Sequence, residues 1–158
     1  WRRYPVRWTK PENLHFTTLF LGSVDDQQLT MLRQKAGETL LRFRPFTVRL
    51  TEITLGPPER LPSMVWTMAM ADPEPAATSL SAALSQTARA AHITPQNADR
   101  PFHLHLTLGR AKGPHLKGAP IAATLEAAFV VDRVDLMAST LTAESPDYQL
   151  IESFPLAV

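Results

Sequence analysis

Two stretches of the chain, NLHFTTLFLG at residues 13–22 and PFHLHLTLGR at residues 101–110, repeat one short pattern. Each contains a histidine followed two residues later by a threonine: His15 with Thr17, and His105 with Thr107. One copy lies in each half of the chain. Side chains alternate between the two faces of an extended strand, so residues i and i+2 share a face. The repeat therefore predicts two strands that each present an imidazole and a hydroxyl.

Two imidazoles and two hydroxyls suit acid–base attack on a phosphate ester. Histidine serves as base or acid because its unperturbed pKa of about 6.5 lies near working pH. Threonine hydroxyls donate hydrogen bonds to phosphoryl oxygens whose negative charge grows in the transition state. A single His-x-Thr on a strand is more often structural than catalytic. Its repetition favours catalysis.

The composition restricts the chemistry and the class of protein. At 158 residues the chain is long enough for one domain with a substantial core, and its hydrophobic fraction of 44% is typical of globular proteins. It contains no cysteine, which excludes disulfides, zinc–thiolate sites, iron–sulfur clusters and a cysteine nucleophile. No apolar run approaches the roughly 18 residues that span a membrane. We expect a cytoplasmic protein without a membrane segment.

The net charge of +1 conceals an uneven distribution. Residues 1–113 contain 14 Lys and Arg against 9 Asp and Glu, whereas residues 114–158 contain 2 against 6. Both His-x-Thr segments lie in the basic part. A positive field there attracts an anionic substrate, although uneven charge is also common on ordinary solvated surfaces.

Hydrophobic spacing predicts an α+β protein. Apolar residues at intervals of three and four predict helices at about 26–43, capped by Ser23 or Asp25, and at about 76–92. Alternation and turn residues predict strands at about 14–21, 46–51, 64–71, 102–109, 129–141 and 148–154. Helices and strands do not alternate strictly along the chain, so the order indicates antiparallel sheets.

The two motifs resemble those of the two-histidine (2H) phosphoesterase superfamily. The closer similarity is to the bacterial RNA 2′,3′-cyclic phosphodiesterases, also called 2′-5′ RNA ligases. Their motifs resemble Asn-Leu-His-x-Thr-Leu-x-Phe-Leu-Gly and Pro-Phe-x-Pro-His-x-Thr-Leu-x-Arg. The chain departs from the second at Leu104, where the family commonly has proline.

The resemblance implies one two-lobed phosphoesterase domain over residues 1–158. Its lobes would be pseudo-symmetric, with antiparallel sheets flanked by helices and an active-site cleft between them. Family members usually begin with an additional strand and helix. Little sequence precedes His15, so we expect that pair of elements to be missing here.

The resemblance also implies roles for the motif residues. His105 would activate water and His15 would protonate the leaving 3′ oxygen, converting an RNA 2′,3′-cyclic phosphate to a 2′-phosphate. Thr17 and Thr107 would bind the phosphoryl oxygens. No metal or cofactor would be required, and 2′-5′ ligation would be the reverse reaction. The partner would be RNA with a cyclic-phosphate end, tRNA halves among the candidates, and the enzyme would be a monomer.

Three further residues are candidates for substrate binding. Arg110 follows the second motif and would contact phosphate, or else pair with a carboxylate. Phe102 and Trp66 would stack on a base, although core packing is the commoner role of such residues.

Two alternative functions stay open. One is a non-catalytic module that binds RNA ends. The other is a zinc hydrolase that uses His15, His103 and His105 as ligands.

Overall fold

The computed structural model of the chain describes residues 5–96, 100–113, 115–119, 121, 123–141 and 146–157. The chain divides into two compact units. The first unit comprises residues 1–17, 48–71 and 103–129, and the second comprises residues 18–47, 72–102 and 130–158. The helices and strands are β1 (Val6–Trp8), α1 (Asp26–Leu40), β2 (Phe46–Gly56), β3 (Met64–Asp72), α2 (Pro75–Ala90), β4 (His105–Ala111), β5 (Ala128–Val131), β6 (Arg133–Leu141) and β7 (Pro146–Pro155).

The first unit contains most of a five-stranded sheet with the order β1-β4-β3-β2-β5. Strand β4 pairs antiparallel with β1 on one side and with β3 on the other. The interior of this unit includes Val48, Val65, Thr67 and Leu116, each at most 2% exposed. Burial of an apolar side chain of this size contributes about 1.5–3 kcal/mol. Val65 and Thr67 lie on β3, so this buried core anchors the strand that pairs with β4, which carries the second His-x-Thr.

The second unit contains both helices and the antiparallel pair β6–β7. A capping box begins α1: the side chain of Asp25 accepts from the Gln28 amide, and the Gln28 side chain accepts from the Asp25 amide. The Thr39 and Thr87 hydroxyls hydrogen-bond at 2.9 Å and join α1 to α2. The apolar core of this unit is built from Leu32, Ala88, Ala91 and Ile93.

The α+β class and the antiparallel sheets are as predicted, and both helices form close to the predicted positions. The helices are not shared between the units, since both belong to the second. The expected cleft, the single-domain organisation and the missing N-terminal elements stay predictions.

Among the described residues, no helix combines the length and apolarity that crossing a membrane requires.

Three strands differ from the sequence-based expectation. The segment predicted as a strand at 14–21 forms only isolated bridges, because Phe16 pairs with Leu106 whereas Phe20 pairs with Gln96. The predicted strand 129–141 breaks at Asp132, since β5 belongs to the five-stranded sheet and β6 pairs with β7. Strand β1 was not predicted. Its three residues are too few for a recognisable pattern and are held by pairing with β4.

Candidate active site

The second motif lies on β4, which begins at His105. Because side chains alternate along a strand, His105 and Thr107 point to one face and Leu106 points to the other. Both motif residues are half-buried. The predicted arrangement of an imidazole and a hydroxyl on a common strand face is therefore present in the second motif.

The first motif lies directly beside the second. An isolated antiparallel bridge joins Phe16 to Leu106. In this register His15 lies across from Thr107, and Thr17 lies across from His105. All four residues belong to the first unit.

The alternation of side chains places these four residues on one face of the paired segments. The ring of Phe16, the residue between His15 and Thr17, packs instead against Phe129, with ring centroids 5.5 Å apart. The two histidines are diagonal neighbours across the pair, a relation that spans about 7–8 Å. This is the typical separation of the Cα atoms, and with both side chains on one face it allows a phosphate to bind between them.

Both imidazoles are held by the same type of hydrogen bond. His15 Nδ1 donates to the Asn13 carbonyl at 2.8 Å, and His105 Nδ1 donates to the His103 carbonyl at 2.7 Å. A carbonyl only accepts, so each Nδ1 carries a proton, and Nε2 is the ring nitrogen at which a proton can be gained or lost. The 3-10 turn Pro11–Asn13 supplies the carbonyl for His15. Nε2 is therefore the atom through which each ring can exchange a proton with a bound ligand.

The indole of Trp66 stacks on the His105 imidazole, with ring centroids 3.8 Å apart and an interplanar angle of 26°. Trp66 is 6% exposed. Gly56 lies so close to the indole that it cannot carry a side chain, because an added Cβ would lie 2.2 Å from Trp66 Cδ2. With one face of the indole against His105 and the other against Gly56, neither face is open to a nucleobase. This placement corrects the prediction that Trp66 stacks on a base.

Burial is the main cause that lowers the pKa of His105 below its ordinary value of 6.5. The positive charges of His103, His15 and Arg110 lower that pKa further, while the hydrogen bond to the His103 carbonyl acts in the opposite direction. His105 is therefore neutral at neutral pH and able to accept a proton, whereas His15 is exposed to solvent.

Arg110 is half-buried at the end of the second motif, and its guanidinium donates to the Met64 sulfur at 3.3 Å. Within the described part of the chain it forms no ion pair with a carboxylate. Of its two predicted roles, pairing with a carboxylate is thus not observed. Phe102 is half-buried in the segment before β4, and its role as a base-stacking residue stays a prediction.

The three histidines considered as zinc ligands do not form such a set. His103 Nε2 is hydrogen-bonded to Glu59 Oε1 at 2.7 Å, and the Nδ1 atoms of the other two rings are bonded to carbonyls. Over the residues that the structure describes, no three His, Asp or Glu side chains are grouped so that they could hold a metal ion.

Sequence reasoning missed three contributors to this site: the Asn13 carbonyl, Glu59 and Gly56. A backbone carbonyl has no sequence signature, and Glu59 lies 44 residues from its partner His103. The Gly56-Pro57-Pro58 run predicts the end of a strand, but nothing in it indicates contact with an indole.

A duplicated His-x-Thr on neighbouring segments of an antiparallel sheet, within an α+β fold, defines a two-histidine phosphoesterase. The chain belongs to this class, in the family described as LigT like Phosphoesterase, whose model matches residues 2–67.

Two relatives cover most of the chain. It is 31% identical over 157 residues to the RNA 2′,3′-cyclic phosphodiesterase of Methanothermobacter thermautotrophicus, with 96% of this chain and 83% of the relative aligned. It is 32% identical to the protein of the same name from Thermus thermophilus, over 92% of this chain and 73% of the relative. The crystal structure of E. coli LigT complexed with 3′-AMP superposes with a TM-score of 0.76 and 27% identity, covering 95% of this chain and 80% of that one.

Proposed function

We propose that this phosphoesterase hydrolyses RNA 2′,3′-cyclic phosphate ends to 2′-phosphates, without a metal ion. The observation that carries the proposal is the register that sets His15 across from Thr107 and Thr17 across from His105. The substrate class is suggested by relatives named RNA 2′,3′-cyclic phosphodiesterase.

His105 is the general base in this mechanism. Its Nδ1–H is fixed on the His103 carbonyl, and burial lowers its pKa, so Nε2 is available to remove a proton from water. The water oxygen forms a bond to phosphorus as the bond from phosphorus to O3′ breaks. The 2′-ester bond stays intact, so the product is a 2′-phosphate with a free 3′-hydroxyl.

His15, starting as the imidazolium with a proton on each ring nitrogen, is the general acid that donates its Nε2 proton to the leaving O3′. Its diagonal position relative to His105 places acid and base on different sides of a phosphate bound between them. Thr17 and Thr107 donate to the non-bridging oxygens, and Arg110 adds a positive charge near them. The hydroxyls and the guanidinium stabilise charge that grows on those oxygens, the task for which a metal ion is otherwise used.

Ligation follows the same scheme when a 5′-hydroxyl replaces water as the nucleophile and yields a 2′-5′ linkage. Ligation, the monomeric state, the cytoplasmic location and tRNA halves as substrate stay predictions.

The test is turnover of an oligonucleotide with a 2′,3′-cyclic phosphate end in EDTA, followed by assignment of the product as 2′- or 3′-phosphate. We expect a 2′-phosphate, and a loss of about 10²–10⁴ in rate for His15→Ala and for His105→Ala. His92→Ala is the matched control, because His92 is an exposed histidine in the second unit. The midpoint of the fall in rate on acidification should lie below pH 6.5, because the pKa of His105 is lowered from that value by burial.

Three results would count against the proposal, each in a different way. Inhibition by EDTA that zinc reverses would indicate a metal enzyme. Tight binding of the oligonucleotide without turnover would indicate a non-catalytic RNA-end module. Wild-type rates in either histidine variant would exclude the two-histidine mechanism.

A further inference from the structure

The indole of Trp66 is enclosed between a catalytic ring and a glycine. An added Cβ at Gly56 would lie 2.2, 2.3 and 2.5 Å from Cδ2, Cε3 and Cε2 of the indole. Cδ2 is bonded to both Cε2 and Cε3. A point nearly equidistant from these three atoms at such short range lies above the face of the ring rather than at its edge. Since the His105 imidazole covers one face, Gly56 lies against the other. Glycine is required at residue 56 for this packing.

The backbone pairing places Trp66 beside the second motif. Val65 pairs with Gly109 and Trp66 pairs with Thr107, so the register shifts between these two pairs and the extra residue, Leu108, lies on β4. Such bulges redirect side chains and are common next to active sites. The indole Nε1–H is buried and finds no acceptor among the described residues. An unpaired buried donor lowers stability by about 1–3 kcal/mol.

The geometry points to Trp66 as a positioning residue for His105, with Gly56 providing the space that admits the indole. This inference rests on the proposed role of His105 as the general base. A single hydrogen bond through Nδ1 restrains the imidazole but tolerates a range of ring tilts. Stacking on the indole fixes the plane of the ring. The two contacts together direct Nε2 toward the reacting water.

Two effects follow when the indole is removed. The ring loses its fixed plane, and small misplacements of a catalytic group can lower the rate by about 10²-fold. The ring also gains contact with water, which moves the pKa of His105 up toward 6.5. The charged groups that face His105, namely His103, His15 and Arg110, stay in place, as does Glu59 beside His103.

The experiment compares Trp66→Leu, Trp66→Phe and Gly56→Ala with the wild type. We measure kcat and KM across pH, and we titrate the His105 ring by NMR. Trp66→Leu should lower kcat by about 10- to 100-fold with little change in KM, and should raise the pKa of His105. Trp66→Phe keeps an aromatic face and should retain kcat within about fivefold. Gly56→Ala should resemble Trp66→Leu if it folds, because its methyl group displaces the indole.

Val65→Ala is the control for destabilisation alone. Val65 precedes Trp66 on β3 and is 1% exposed, so this variant should lower Tm while kcat and the His105 titration stay at wild-type values. The inference is overturned if folded Trp66→Leu keeps wild-type kcat and His105 pKa, or if Val65→Ala changes them equally. If the wild type fails to hydrolyse the cyclic phosphate, the proposed function fails. The NMR titration then still decides whether the indole controls the His105 ring.

Discussion

Replacing Thr17 or Thr107 by valine tests whether the motif hydroxyls stabilise the transition state. The substitution removes one hydroxyl and nearly preserves the shape of the side chain. Both threonines are half-buried, and within the described residues neither hydroxyl is hydrogen-bonded. Each variant should therefore fold with a stability close to that of the wild type. Any large loss of turnover would then come from the reaction rather than from the fold.

The size of the loss follows from the charge on the acceptor. A hydrogen bond to a charged group contributes about 1.5–3 kcal/mol, and about 1.36 kcal/mol corresponds to a factor of ten in rate. Each single variant should lose about 10- to 150-fold. Since charge on the phosphoryl oxygens grows as the reaction proceeds, most of the loss should fall on kcat rather than on KM.

The assay is steady-state turnover of a cyclic-phosphate oligonucleotide by both single variants, the double variant and Thr18→Val. Thr18 is the matched control: it adjoins Thr17 in sequence but lines an apolar cavity of the second unit. Thr18→Val should keep wild-type kcat. If Thr17→Val and Thr107→Val turn over within twofold of the wild type, or lose only in KM, the transition-state role of the hydroxyls is wrong.

Two further predictions concern substrate attraction and the fold. Because residues 1–113 carry an excess of positive charge, kcat/KM should fall as the salt concentration rises. If the enzyme holds the strand mainly through its phosphates, a DNA strand that ends in one cyclic-phosphate ribonucleotide should be hydrolysed nearly as fast as RNA of equal length. A large loss on the DNA strand would mean that 2′-hydroxyls beyond the terminal ribose are recognised. Asp25→Ala should lower the free energy of unfolding by about 0.5–2 kcal/mol in urea, because it removes the α1 capping box. Asp26→Ala, which leaves that box intact, should cost less, and equal losses would contradict the capping argument.

The residues of the candidate site were predictable because their signal is local. A histidine and a threonine two positions apart share a strand face whatever the rest of the chain does. The register between the two motifs was not predictable, since the pairing of Phe16 with Leu106 joins residues 90 positions apart. The alternation of apolar residues also predicts a longer first strand than the structure contains. The chain from His15 to Phe20 pairs with two different segments and so forms no continuous ladder.

The contacts of the His105 and Trp66 rings could not be predicted from the sequence, for a related reason. Gly56 matters through the indole of Trp66, and Trp66 matters through His105. Each step depends on which strands are neighbours in the sheet. An apolar or aromatic residue in a strand predicts burial but does not indicate what it packs against, so the sequence leaves base stacking and core packing both open for Trp66 and does not indicate His105 as its partner.

In the proposed mechanism, the same contacts explain how one motif supplies both a general acid and a general base. Both histidines donate from Nδ1 to a backbone carbonyl two residues earlier, so the motif alone gives them equal chemistry. Their surroundings differ: His15 is exposed, whereas His105 is covered by Trp66 and faces the charges of His103 and Arg110. Burial disfavours the charged form of an imidazole, which favours His105 as the proton acceptor. In the proposed mechanism, packing around the second motif therefore distinguishes the base, His105, from the acid, His15, although both residues belong to the same short motif.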